Sequence, residues 1–222
     1  MEIAAIVPIK SRSLRLPQKN FLNFNGKPLY HWIIETLSDT KLISKIYIDT
    51  DSEEVIENAP ELFDVEIIER PEKNRGQTIS MNDILLHDIG IIQADLYVHT
   101  HCTNPLLSSQ TILSALGEYF KSNEHDSLFS VTPHHMRAFD HTGQPINHHL
   151  HEVERTQDVP VIFEENANIY IFSHSTFIQN NSRIGDTPMI FEMDQIESIE
   201  IDTRIDFEIA EYLHKKIRAR DI

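Results

Sequence analysis

Residues 3–9, IAAIVPI, form an unbroken apolar run between Glu2 and Lys10. The run is short and does not alternate, the pattern of a strand covered on both faces. Such a strand belongs in a parallel sheet, whose strands are joined by crossover helices. The rest of the chain alternates accordingly. Pro28 opens a segment with Leu29, Trp32, Ile33 and Leu37 at helical spacing, which makes Trp32 a core residue. Residues 45–50 (KIYIDT) predict a second strand, followed by Asp51 and Ser52 as helix caps with Glu53 and Glu54 in the first turn. Further strands are expected at 65–69, 95–100 and 127–132. Helices are expected at 78–90 and from Ser108 or Ser109 onward, the latter with Ile112, Leu113, Leu116, Tyr119 and Phe120 on one face.

Between about 133 and 165 the pattern lapses. This stretch holds six histidines, His134, His135, His141, His148, His149 and His151, and reads as an insertion or flap. Its histidines suit a pH-sensitive subunit contact better than a metal site, because no carboxylate or cysteine pattern completes a ligand set. Regular structure resumes with strands at 167–172, 189–193 and 196–202, a short helix near 174–180 and a terminal helix from Ile205 to about Arg218. The expectation is a single α/β domain over residues 1–222 with a mostly parallel central sheet. In such sheets ligands bind beyond the carboxyl ends of the strands. That points to the segments after Ile9, Ile48, Val98 and Ile201.

Charge sharpens the choice among ligands. The chain carries a formal net charge of −16, which argues against a nucleic-acid binder and against a binder of anionic membranes. Yet residues 1–34 hold five cations (Lys10, Arg12, Arg15, Lys19, Lys27) against the single acid Glu2. No apolar run approaches the about 18 residues of a membrane span. The start of the chain lacks the charged segment that precedes the apolar stretch of a signal peptide. One cysteine, Cys102, rules out an internal disulfide and a cysteine-based zinc site. A cytoplasmic protein is expected.

Three segments carry chemistry. In PIKSRSLRLPQKN four cations, Lys10 to Lys19, follow the first strand, the place for a polyphosphate, whose transfer rests on positioning and charge neutralisation. The segment has neither the P-loop nor the dinucleotide-binding glycine pattern, and a solvated basic loop is the plainer alternative. In IEIDTRIDFEIA, Glu200 and Asp202 alternate on an expected strand, so both point to one face and can hold a divalent cation through oxygen ligands. A polar strand face is the alternative there, and Asp206 and Glu208 belong to the following helix start. In VHTHCTNPLL, Thr100, His101, Thr103 and Asn104 cluster after a buried strand, and His99 and His101 alternate so that both can line a pocket.

These residues carry a resemblance. AIVPIKSRSLRLPQKNFLNFNGKPL resembles the opening of the cytidylyltransferases that activate nonulosonic acids, the CMP-N-acylneuraminate synthetases and their relatives for legionaminic and pseudaminic acids. Pro8, Ser13, Leu16, Lys19, Asn20, Gly26, Pro28 and Leu29 match the family form. Arg15, Leu16 and Pro17 resemble the related 3-deoxy-manno-octulosonate cytidylyltransferases. THCTNPL, ERTQDVP (154–160), ENANIYIF (165–172) and IEIDTRIDFEIAE (199–211) follow in family order, so the similarity covers almost the whole chain.

The resemblance implies a Rossmann-like, glycosyltransferase-A-like three-layer domain with a small dimerisation flap. It implies a reaction of CTP with a sugar acid to give a CMP-sugar and pyrophosphate, with Mg²⁺, in a homodimer. Lys10, Arg15 and Lys19 then neutralise the phosphates, and Pro8, Lys10, Ser13, Asn20, Thr103 and Asn104 bind the nucleotide. His101, Arg155, Gln157 and Asn166 fall at sugar positions, Arg155 being suited to a sugar carboxylate. Glu200 and Asp202 fall at the family's metal-binding pair. The chain departs from the family form at Lys10 for Arg, Ser11 or Arg12 for Gly, Leu14 for Lys, His101 for Gln, Asn168 for Gly and Glu200 for Asp. A nucleotide-binding relative that acts through a partner is the second reading.

Overall fold

A computed structural model describes residues 1–76, 78–152 and 154–219. Seven strands form one sheet in the order β5-β4-β1-β6-β8-β7-β9. They are β1 (Ile3–Ile9), β4 (Lys45–Thr50), β5 (Glu66–Glu69), β6 (Leu96–His99), β7 (Ser127–His134), β8 (Ile162–Phe172) and β9 (Pro188–Glu192). Only β8 runs against its neighbours, pairing antiparallel with β6 and β7; the other four pairings are parallel. The α/β class and the mostly parallel sheet are as the alternation predicts.

All seven residues of β1 are buried, and they serve two cores by turns. Ala5, Val7 and Ile9 face α1 (Leu29–Ser38), α2 (Glu53–Leu62) and α4 (Ser109–Lys121) through Ile33, Val55 and Ile112. Ala4 and Ile6 face α3 (Met81–Ile89) and α5 (His174–Asn180) through Leu85 and Phe177. Helices therefore cover both faces, giving three layers. A third cluster packs α6 (Arg204–Arg218) against Leu16, Phe24 and Trp32. No helix among the described residues is long and apolar enough to cross a membrane.

Local signals explain the boundaries. Ser52, Ser80, Ser108 and Ser173 each accept a backbone N–H at the start of their helix. Thr203 and Asp206 form a reciprocal capping box on α6. In α4 the buried residues are Ile112, Ala115 and Leu116; of the rest of the expected stripe Leu113 and Tyr119 are half-buried and Phe120 is exposed.

Two differences from the sequence reading stand out. A hairpin of β2 (Asn23–Phe24) and β3 (Lys27–Pro28) turns at Asn25-Gly26, both with positive φ. That dipeptide suits a tight two-residue turn. The strand expected at 196–202 does not form. Residues 195–198 turn, and 199–202 join no ladder. Ile201 gives its N–H to the Thr103 carbonyl, but its own carbonyl accepts from the Lys19 ammonium. A side chain therefore takes the place of the next strand. The irregular stretch is narrower than the expected 133–165: it runs over 135–161, where the described residues hold an isolated bridge, Phe139 to Pro145.

Candidate active site

The basic loop leaves β1 and is held from beneath. The Ser11 N–H donates to Asp51 Oδ1 at 2.7 Å, and Asn20 Nδ2 donates to the Lys10 carbonyl at 2.9 Å. Leu16 is buried with Phe24 and Trp32. Fixed ends on a loop of cations make its charge preorganised. Lys10 is half-buried, and burial, with the Arg70 guanidinium nearby, lowers its pKa, an effect that Asp51 partly offsets. Arg70 itself is fully buried and ion-paired with Asp49.

The acidic segment meets this loop at one residue. Lys19, only 8% exposed, donates to the Ile201 carbonyl at 2.6 Å and to Asp202 Oδ1 at 3.0 Å. Arg15 Nη1 lies 2.6 Å from Asp202 Oδ2. The Asp202 N–H donates to Asp206 Oδ2 at 3.1 Å, which fixes the turn into α6. Glu200 accepts from the Thr103 hydroxyl at 3.3 Å. Burial, then the Asp202 charge, raise the Glu200 pKa, opposed by Lys19. Although no strand forms, Glu200 and Asp202 still share a face, because Ile201 between them is buried in the core.

These groups surround a cleft of about 500 Å³. Pro8, Lys10, Ser13, Arg15, Lys19 and Asn20 line it from the β1 side, His101 and Thr103 from the β6 side, and Glu200 and Asp202 from the approach to α6. Burial, with Arg183 and then Lys19 and Lys10 nearby, holds His101 down to about 3, so it is a neutral imidazole. Cys102 also lines the cleft, but burial pushes its thiol up to about 12, so it is no nucleophile at neutral pH. A second hollow of about 460 Å³ shares Glu200 and Asp202 and is lined by Asn166.

The carboxylates here are an all-oxygen donor set on a cleft that also carries phosphate-type cations. Residues 4–218 match the family described as Cytidylyltransferase. The chain belongs to that cytidylyltransferase family. A pseudaminic acid cytidylyltransferase of Campylobacter jejuni is 26% identical over 97% of each chain. Post-translational flagellin modification protein B of Campylobacter coli is 27% identical over 99% of each. Among solved structures, a CMP:2-keto-3-deoxy-manno-octonic acid synthetase complexed with CTP shares the fold. Its TM-score is 0.71 at 15% identity, covering 97% of this chain and 99% of that one.

Within this cytidylyltransferase, five of the residues singled out by sequence stand apart from the wall of the main cleft. Asn104 is fully buried and accepts from the Thr103 hydroxyl, so it braces Thr103. His99, expected to line a pocket, is fully buried behind His101, its ring 4.6 Å away. Arg155 and Gln157 are exposed on the 135–161 connection, and Arg155 is paired with Asp158 at 2.6 Å. Asn166 accepts from Ser130 and donates to Thr132 at a bulge in β8. The residue with positive φ there is Ala167, at 56°, so the glycine-like backbone position is Ala167 and not Asn168.

Sequence reasoning missed Asp51 as a loop anchor, because a carboxylate before a helix also reads as a cap. It missed Arg70 and Met81, which follow β5. The rule that directs attention to strand ends applies to β5 as much as to β1, β4 and β6.

Proposed function

We propose that the protein transfers CMP from CTP to the anomeric hydroxyl of a nonulosonic acid, releasing pyrophosphate. The observation that carries this reading is the convergence of Lys10, Arg15 and Lys19 with Glu200 and Asp202 on one cleft. A triphosphate needs focused positive charge facing carboxylates, and a sheet with a fixed loop supplies it. The names of the full-length relatives support a sialic-acid-like sugar of the pseudaminic type.

The donor set suits Mg²⁺. Glu200 and Asp202 are hard oxygen ligands whose charges repel one another enough to help raise the Glu200 pKa. Bound there, Mg²⁺ would neutralise charge on the transferring phosphate and on the leaving pyrophosphate. Lys19 and Arg15, now on Asp202, are placed to turn to phosphate oxygens when a triphosphate enters. Lys10 adds charge from the other end of the loop. Pro8, Ser13, Asn20 and Thr103 shape the nucleotide side, with Asn104 behind Thr103. Neutral His101 and Asn166 face the sugar, His101 as a hydrogen-bond partner with no charge of its own. Arg155 and Gln157, exposed on the flap, reach the site of a second copy in a cytoplasmic homodimer.

The test is release of pyrophosphate from CTP and Mg²⁺ with pseudaminic acid and N-acetylneuraminic acid. Turnover with either supports the assignment. Silence with both, while calorimetry shows CTP bound, makes the protein a nucleotide-binding module.

A further inference from the structure

We infer that Arg183 is a specificity-determining residue, donating to an acceptor oxygen of the sugar acid. The inference rests on the proposed activity and concerns which part of the second substrate this chain reads.

Arg183 follows α5 and is held flat. Its guanidinium stacks on the Tyr170 ring at 3.6 Å, and Nη1 lies 3.3 Å from His99 Nδ1. Its ion pair with Glu165 is loose, at 3.7 Å. The Tyr170 hydroxyl donates to the same carboxylate. A guanidinium carries five N–H donors, more than these contacts employ. The side chain is 16% exposed, and what it exposes lines a hollow of about 260 Å³. That hollow shares Met81 with the main cleft and Glu165 with the hollow of Asn166. Arg183 therefore lines a hollow that adjoins both the main cleft, through Met81, and the hollow of Asn166, through Glu165, with His99 between it and His101.

The charges around it make the case. The cations of the main cleft all belong to the basic loop, and Lys19 and Arg15 are engaged with Asp202. The Asn166 hollow is lined by Glu164, Glu165, Glu200, Asp202 and Asp206, with no Lys or Arg among its described lining residues. An anionic, oxygen-rich sugar entering beside five carboxylates needs a donor on that side. Lys19 and Arg15 reach the edge of this hollow only through Asp202, which they already pair with, and Arg183 reaches its Glu165 side through a looser contact. The Arg183 ion pair with Glu165 is loose, so a ligand oxygen can be taken up as a closer acceptor for this mostly buried guanidinium. The stack on Tyr170 fixes the plane of the fork, which a Lys could not do. The acceptor is either the sugar's carboxylate or the carbonyl of an acylamino substituent; both offer the same lone pairs.

The experiment compares wild type with R183M and R183K on whichever of pseudaminic acid and N-acetylneuraminic acid is turned over. Its readouts are KM for sugar acid and for CTP, and the thermal midpoint. R183M is expected to raise the sugar-acid KM roughly 10- to 100-fold with the CTP KM within about two-fold. R183K should recover part of the loss. The sugar's methyl ester and its N-deacetylated form separate the two sources. The wild-type advantage over R183M shrinks on the ester if the carboxylate is bound, and on the deacetylated form if the acyl carbonyl is. An unchanged sugar-acid KM in R183M overturns the inference. So does a loss equal across the acid, the ester, the deacetylated form and CTP, which marks Arg183 as structural only. Wild-type protein that releases no pyrophosphate with either sugar acid overturns the proposed activity and this inference with it.

Discussion

The ammonium of Lys19 sits 3.0 Å from Asp202 Oδ1 and joins the first loop of the chain to its last acidic segment, 183 residues away. The same ammonium takes the Ile201 carbonyl. One side chain thus fixes Asp202, the carboxylate proposed to hold Mg²⁺, at the edge of the cleft. Lys19→Ala is expected to cost about 2–4 kcal/mol of transition-state stabilisation, as for loss of one preorganised electrostatic group. Steady-state pyrophosphate release measures it, and turnover close to wild type would refute the role.

Asp202 shares its two oxygens between Lys19 and Arg15. Asp202→Asn removes the charge that both cations pair with and that the proposed Mg²⁺ would use. The half-saturating Mg²⁺ concentration should rise about tenfold or more. A magnesium titration that superimposes on wild type removes Asp202 from the ligand set.

Asp88 on α3 is fully buried beside Asp49, Arg70 and His87. Burial, then the Asp49 charge, push its carboxyl up to about 8. Between its ordinary range and that value the folded protein holds a proton that the unfolded chain has lost. Stability therefore falls as pH rises through this window, by on the order of 1 kcal/mol per pH unit at most. Asp88→Asn keeps a donor toward Asp49 without the titration. Thermal unfolding should show the variant gaining on wild type from pH 5 to pH 7.5; a pH-independent difference contradicts the assignment.

Arg155 is exposed on the connection between β7 and β8 and paired with Asp158, whereas Lys19 is buried at the cleft. If the flap of one copy serves the cleft of another, Lys19→Ala and Arg155→Ala proteins should each lose activity alone. Mixed and reassembled, they should regain a clear fraction, because one cleft per mixed dimer is intact. Assay of the mixture decides it: activity no greater than the sum of the two separate proteins argues against shared sites.

How far the sequence could be read depended on the range of the interactions. The apolar run of β1, the serine caps and the helix of Trp32 are local, so spacing revealed them. Glu200 and Asp202 were placed on one face correctly, but for a reason the pattern did not contain. The segment expected as a strand has its Ile201 carbonyl drawn to Lys19, a partner that no local rule identifies. Ala167, in a bulge of β8, takes the backbone conformation expected of a neighbouring position, because the register with β7 shifts there.

The sequence by itself determined the layered α/β class, the cationic loop after β1 and the paired carboxylates before α6, because periodicity, capping and charge act over a few residues. Only the tertiary structure decided which of these meet. It set Asp51 under the loop, put Asn104 and His99 behind the cleft wall, and placed Arg183 at the border of an acidic hollow. Those are contacts between strand ends and loops far apart in the chain, and they exist only once the sheet has ordered its strands.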